Sequence, residues 1–555
     1  MVKKDSLIKG TLILTAAALV ARVLGVFQRV PLEYAMNDIG KNAFGLANNV
    51  YLLLLVFATA GIPSAISKMV SERLELGREA EVKRIYRAAI GFGIFAGVVM
   101  TSALLLLAPL YARLSDVPDA TLAIRAIAPS LLLFPVIAMM RGYFQGRQFM
   151  TAGGVSQIVE QIARVATAVA LVFALQSWGY DNKTMAAGGA FGSVLGSLAA
   201  FAVMLWYAYK LRESDRHRPA PTMAPESTTS RSGAQGSPPV LSRTREIYAA
   251  IFRTSIPILL TAMTVQLIYF IDQTTLKPLS AWRFAHDTAE GWLAVLVTNA
   301  QSIAGIPPVL AIALSTSLLP VIAAAFASGD TERLRRQTTL ALRIAIFSGM
   351  PVVLVMAVGA YPVNGLLFSA PKGSAIVGML AAGTIFQITM MTSNSILYGL
   401  SRQRLAMTHT LTGIAIKLVL TFALTPFFGV YGLVAATSVC FIFVTVWNMM
   451  TIRSLTGVQA LGNRWTGFAS AVALLVTVGS AISYFGIQLF EPLGGKWPYL
   501  FTTGILGLFL FACYPLLLVV FGVLRAEDLE SYPARIRRVL RPFLRFSRAR
   551  ARSAG

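Results

Sequence analysis

Two arginines seven residues apart, Arg22 and Arg29, interrupt the first apolar stretch of the chain, TLILTAAALVARVLGVFQRVPLEYAM. An arginine near the centre of a bilayer costs roughly 2.5–3.5 kcal/mol on insertion scales, so such residues turn toward a protein interior or a wet cavity. Two helical turns separate the pair, which places both on one helix face. A guanidinium there is suited to binding an oxyanion through paired N–H groups. Counting 1.5 Å per residue from Lys9, Arg22 lies roughly 20 Å into the membrane and Arg29 roughly 30 Å. Arg22 is therefore the mid-depth anion candidate, while Arg29 is either a cavity residue or an outer anchor beside Glu33.

A second polar stripe interrupts VSQIVEQIARVATAVALVF, where Gln157, Glu160, Gln161 and Arg164 recur at helical spacing on one face. One reading pairs Glu160 with Arg164 along their own helix. The other makes the stripe a wall of the cavity that holds Arg22 and Arg29, with Arg164 meeting an anion and Glu160 orienting it. Arg125 sits near an outer helix end, where it can snorkel. Asp272, in YFIDQTTL, and Lys417, in TGIAIKLVLTFAL, are charges deep in apolar surroundings and form a candidate buried pair or gate. Arg141 and Gln145, in the short connection RGYFQGRQ, are further gating or coupling candidates. The chain has no Walker loop, H-E-x-x-H or G-x-S-x-G motif, so neither an enzyme nor an ATP-driven machine is expected. No cofactor is expected, and three scattered histidines and two cysteines within apolar runs suggest neither a metal site nor a disulfide framework.

The elements that must position these residues follow from composition. Of the 555 residues, 56% are hydrophobic and 13% charged, and the mean hydropathy is +0.67. That composition implies an all-α polytopic membrane protein. Spans of about 20 apolar residues fall near 10–34, 43–69, 86–111, 120–141, 154–177, 185–209, 249–276, 291–327, 337–362, 374–398, 405–426, 430–452, 465–489 and 498–524, fourteen in all. The eighth is overlong and contains prolines, which predicts a kink. The first follows MVKKDSLIKG with no A-x-A-type cleavage site and reads as a retained helix. An even number of spans puts both termini on one side. With that side cytoplasmic, 34 of the 48 lysines and arginines lie in inside connections, tails and the helix ends that adjoin them, and only 7 in outside connections. The formal charge of +24 is thus an orientation signal in a cell-membrane protein rather than a nucleic-acid surface.

These spans divide the chain into an N-lobe over 1–211, a flexible cytoplasmic linker over 212–246, a C-lobe over 247–455, two further spans over 456–525 and a tail over 526–555. The linker is rich in Pro, Ser, Thr and Gly and cannot bury enough apolar surface to fold. The tail is basic and amphipathic and suits an anionic leaflet. The two six-span halves carry faint echoes of each other, GIPSAIS at 61–67 with GIPPVLAIALS at 305–315, and RGYFQGRQ with YGLSRQR at 398–404. They predict parallel repeats.

Taken together, ARVLGVFQRVPL, AGIPSAISKMVSE, RGYFQGRQ, VSQIVEQIARV, YFIDQTTL and IPPVLAIALSTSLLPVI resemble the multidrug/oligosaccharidyl-lipid/polysaccharide exporter superfamily. Within it, the chain is similar to MurJ-like lipid II flippases and to polysaccharide-biosynthesis proteins of the stage V sporulation protein B type. The resemblance implies two six-helix lobes in a V around a central cavity, plus two C-terminal helices bordering a groove for a polyprenyl tail. It implies movement of an undecaprenyl-diphosphate-linked cell-wall precursor, lipid II first, from the inner to the outer leaflet, driven by membrane potential or a Na+ or H+ gradient. Arg22 and Arg29 match the family's cationic first helix. Asp272 fits the family's sodium site, whereas Lys417 stands where an ion ligand is wanted. Substrate and membrane lipids are the expected partners, with the protein acting as a monomer. The alternatives are a flippase for another lipid-linked polysaccharide repeat and a cation-coupled multidrug exporter, for which acidic cavity helices are expected.

Overall fold

In the computed structural model the described residues are 7–59, 61–75, 78–216, 244–308, 322–323, 325–326, 329–368, 370–458 and 462–524. The linker between 217 and 243 and the tail from 525 onward lie outside them. The first half comprises α1 (Leu7–Ala35), α2 (Asp38–Thr59), α3 (Ile62–Glu75), α4 (Glu79–Leu114), α5 (Ala120–Ile127), α6 (Ser130–Gly146), α7 (Met150–Ser177) and α8 (Asn182–Arg216). The second half opens with α9 (Thr244–Ala262), α10 (Thr264–Ser280) and α11 (His286–Ala294). It then passes through a π-turn (Val295–Ala300) into α12 (Gln301–Ala304). It continues with α13 (Thr331–Val358), α14 (Ala360–Leu367), α15 (Ser374–Gly399), α16 (Gln403–Phe428) and α17 (Val430–Thr456). Two last helices, α18 (Trp465–Phe490) and α19 (Trp497–Val520), complete it.

Eleven of the described helices are long and apolar enough to cross a bilayer, and Ser255–Ala262 of α9 with α10 meets the same criterion as a pair bent by 44°. The first expected span is α1, 29 residues long. The eighth expected span, 291–327, begins in α11, and most of it after residue 308 lies outside the described residues. Its visible distortion is the π-turn, ahead of Pro307 and Pro308. The chain is thus an all-α multi-pass membrane protein. Leu106, Leu489 and Leu508 are each more than 70% exposed, an arrangement that a lipid surround stabilises and water does not.

The second span departs from a single straight helix. It breaks between α2 and α3 at Gly61, whose φ is +77°. A Cβ there would stand 3.0 Å from the Ser255 carbonyl oxygen, so glycine serves both the left-handed turn and the close approach of α3 to α9. The halves meet again at the opposite end of α2. A Cβ on Gly45 would lie 2.6 Å from Val297 Cγ2, so only a bare backbone lets α2 rest on the π-turn. Around that contact the largest core cluster joins Leu46, Tyr51 and Ile124 of the first half to Leu296, Val297, Phe368 and Leu433 of the second.

Within each half the helices pack in the same order. In the first half α4 lies on α6, α6 on α8 and α8 on α7; in the second α13 lies on α15, α15 on α17 and α17 on α16. Helices α18 and α19 pack on each other and dock onto α13 and α14, burying Leu475, Leu506, Leu510 and Leu518.

Candidate functional site

A cavity of about 240 Å³ lies where α1, α2, α7 and α12 converge, lined by Ala21, Gly25, Gln28 and Arg29, by Asn48 and Leu52, by Gln157, Gln161 and Arg164, and by Gln301 and Ser302. A second, of about 260 Å³, continues along α7 past Ala21, Gln157 and Gln161 to Arg141 and Glu160. The stripe read on α7 therefore does face a cavity. Polar residues at i, i+3, i+4 and i+7 share one face, and α1 packs along that face.

Arg164 crosses this space. Its Nη2 donates to Asn48 Oδ1 at 2.6 Å, and its guanidinium lies 5.4 Å from the centre of the Tyr51 ring. Its Nε is buried without a protein acceptor, as is Nε2 of Gln28. A buried donor left unmade costs about 1–3 kcal/mol, so these atoms favour a ligand rich in acceptor oxygens.

Arg29 is half-buried and bonded within the protein. Its Nη1 donates to the Val297 carbonyl, and to Ser302 Oγ at 3.0 Å, bridging α1 to the second half. Beside it Asn49 Nδ2 donates to Gln301 Oε1 at 2.8 Å. Together these bonds tie the halves together above the cavity. Glu33 pairs with Lys41 at 3.1 Å. Arg22 lies in α1 next to the cavity-lining Ala21, but its side chain is outside the described residues.

Of the two sequence readings of Glu160, the intrahelical pairing with Arg164 is not formed. The partner of Glu160 is Arg141 of α6, at 2.8 Å, and the same Nη2 also donates to Ser156 Oγ at 2.8 Å. Arg141 sits inside α6, one turn before its end, so its fork reaches α7 across the helix pair rather than the cytoplasmic connection. Arg141→Ala leaves Glu160 buried without this cation, and is expected to destabilise the protein by about 3 kcal/mol; thermal unfolding in detergent, with Arg141→Lys retaining part of the loss, is the measurement. Gln145 is half-buried in the last turn of α6 and lines neither cavity. Arg125 is exposed.

Asp272 and Lys417 do touch. Lys417 Nζ donates to Asp272 Oδ1 at 2.5 Å and to Thr421 Oγ1 at 3.2 Å, while Thr437 Oγ1 donates to Asp272 Oδ2 at 3.3 Å. The four groups join α10, α16 and α17, with the lysine side chain 0% and the aspartate 2% exposed. The long lysine stem spans the difference in depth that the two positions have along their helices.

Reasoning from sequence passed over Gln28, Asn48, Asn49, Gln301 and Ser302. The adjacent amides in GLANNVYLLLL and in TNAQSIAG were a legible signal, since unpaired polar groups in an apolar span must face protein or water. A separate apolar groove of about 600 Å³ runs between α13, α15 and α17, with Arg453 at one end and Trp465 and Phe468 of α18 along its edge.

A family model described as polysaccharide biosynthesis protein matches residues 7–326. The lipid II flippase MurJ of Bacillus subtilis is 25% identical over 468 residues, covering 82% of this chain and 84% of that protein. Stage V sporulation protein B of the same organism is 22% identical over 545 residues, covering 97% of this chain and 100% of that one. Among solved structures, an inward-facing multidrug resistance MATE family transporter of the MOP superfamily superposes with a TM-score of 0.62 at 15% identity, over 80% of this chain and 98% of that chain. With both the family match and the two-halved helical fold in place, the chain belongs to the polysaccharide biosynthesis protein family, within the multidrug/oligosaccharidyl-lipid/polysaccharide superfamily of membrane proteins.

Proposed function

We propose that the protein flips an undecaprenyl-diphosphate-linked cell-wall precursor, lipid II foremost, from the inner to the outer leaflet by alternating access. The observation that carries this reading is the central cavity. Among the described residues its lining contains Arg29, Arg164 and amide donors, the carboxylate of Glu160 in the continuation along α7 is already paired with Arg141, and two buried donors lack protein acceptors. A diphosphate supplies the oxygens that such donors need. A cation-coupled drug exporter would need acidic walls, so the lining argues against it. The name of the Bacillus subtilis relative, lipid II flippase, supports the substrate class.

In this reading Arg22, next along α1 from the cavity-lining Ala21, takes part in substrate binding, and the termini are cytoplasmic. The substrate's diphosphate draws Arg29 from the Val297 carbonyl and Ser302, loosening the bonds that hold the halves together above the cavity. The ligand thereby favours the state open on the other side, as differential binding requires. The polyprenyl tail stays at the lipid, along the α13, α15 and α17 groove, and the protein works as a monomer. Membrane potential is the drive, because an anion leaving a negative interior gains roughly 2.3 kcal/mol per charge per 100 mV. The Asp272–Lys417 pair carries its own cation and needs none from solution.

The test is reconstitution in liposomes containing labelled lipid II or a second lipid-linked glycan, scoring access from the outer face with and without a potassium-diffusion potential. Lipid II should become accessible, faster with the lumen-to-outside polarity of a cell. Accessibility no greater than in protein-free vesicles overturns the proposal, and preference for the other glycan reassigns the headgroup.

A further inference from the structure

The common packing order of the two halves gives the α13, α15 and α17 groove a counterpart. In the first half α4, α6 and α8 occupy the equivalent places, and between them runs a second lateral groove of about 550 Å³. It is separate from the central cavity and shares no lining residue with it. Its length is apolar, with Ile90 and Ile94 of α4, Leu133 and Val136 of α6, and Phe201 and Leu205 of α8. Ile94 is 51% and Leu205 49% exposed, so this groove opens onto the lipid. The second-half groove, by contrast, has α18 along its edge.

One end of the groove is different. Arg87 of α4 and Arg212 of α8 line it together with Tyr86, and both arginines are exposed. No carboxylate is among the described residues that line it. Arg87 stands seven residues from Ile94, and Arg212 seven from Leu205, so on both helices the charge lies roughly 10 Å along the axis from the apolar floor. That is the layout of a headgroup phosphate above an acyl chain. The volume also falls within the roughly 300–1,000 Å³ of small-molecule sites.

We propose that this groove binds an anionic glycerophospholipid of the leaflet on the arginine side, its phosphate between Arg87 and Arg212 and one acyl chain along Ile90, Ile94 and Leu205. Arginines carried by separate helices tie α4 to α8 through the lipid, bracing the first half independently of what the central cavity carries. A neutral zwitterionic lipid can fill the apolar length, but its choline blunts the electrostatic gain at the arginines. The site therefore selects by net charge.

The test is native mass spectrometry of the full chain released from detergent, with phosphatidylglycerol and phosphatidylcholine as probes. The wild type should retain one phosphatidylglycerol in preference to phosphatidylcholine. The double variant Arg87→Gln/Arg212→Gln should bind that lipid roughly 25-fold more weakly, about tenfold for each 1.4 kcal/mol with about 1 kcal/mol per basic residue at the surface. Arg87→Lys/Arg212→Lys should keep most of the affinity. Ile94→Trp, with both arginines intact, should also weaken binding, because the indole fills the groove; charge adsorption alone would leave it unchanged. Both arginines are exposed, so thermal unfolding of the lipid-free variants should match the wild type. Equal retention of the two lipids, full binding by the double glutamine variant, full binding by Ile94→Trp, or preference for an undecaprenyl phosphate over phosphatidylglycerol overturns the proposal.

Discussion

Arg164→Ala is expected to lower substrate flipping about 100-fold, with the protein still present in the membrane at normal abundance. Hydrogen bonds to charged groups contribute roughly 1.5–3 kcal/mol each, and two contacts to a diphosphate amount to about 3 kcal/mol, or two decades. The folded state loses far less. Arg164 makes one bond to Asn48 and one ring contact with Tyr51, and its side chain is only half-buried. Removing it leaves Asn48 open to the cavity rather than sealed in a core. Arg164→Lys keeps the charge but not the fork, so it should fall between wild type and alanine. The measurement is complementation of a flippase-depleted strain, read beside membrane abundance. Normal growth supported by Arg164→Ala would remove this residue from the substrate path. Arg22→Ala, made in parallel, extends the same test to the residue whose side chain lies outside the described set.

The second large effect concerns the buried pair. Lys417→Met strands Asp272, 2% exposed, without its cation, and breaking such a pair typically costs about 3–5 kcal/mol. Abundance should collapse, and the thermal transition in detergent should fall accordingly. Replacing both members by apolar residues of similar volume is often neutral, so Asp272→Leu/Lys417→Met should recover most of the lost stability. The charge swap Asp272→Lys/Lys417→Asp should recover part of it, since Thr421 and Thr437 are hydroxyls that can donate or accept. The double apolar variant also separates structure from coupling. It should flip substrate under a potential with or without sodium. A variant that folds but transports only with added sodium, or not at all, would make the pair part of the drive rather than a link among α10, α16 and α17.

The membrane-spanning plan was legible because it depends on local quantities. Twenty apolar residues cross a bilayer wherever they occur, so α4, α7, α13 and the others follow from windows of hydropathy. The α7 stripe was legible for the same reason: helical period and the cost of polar groups in lipid together dictate that Gln157, Gln161 and Arg164 face inward. What those residues touch was not legible. Glu160 reaches Arg141 instead of Arg164 because α6 stands beside it, and no spacing along α7 encodes α6.

Sequence by itself determined that this is a polytopic helical membrane protein with cations in its interior, since burial in lipid acts on each segment separately. Tertiary structure alone decided which cations meet which partners. Arg29 is a bridge between halves only because Gly45 lets α2 approach the π-turn, bringing Val297 and Ser302 within its reach. Asp272 and Lys417 form a pair only because α10 and α16 pack at a depth that the lysine stem can span. Hydrophobic burial is set by residue type and is read locally, whereas a hydrogen bond needs its partner within about 3 Å, a distance that only the packed helices define.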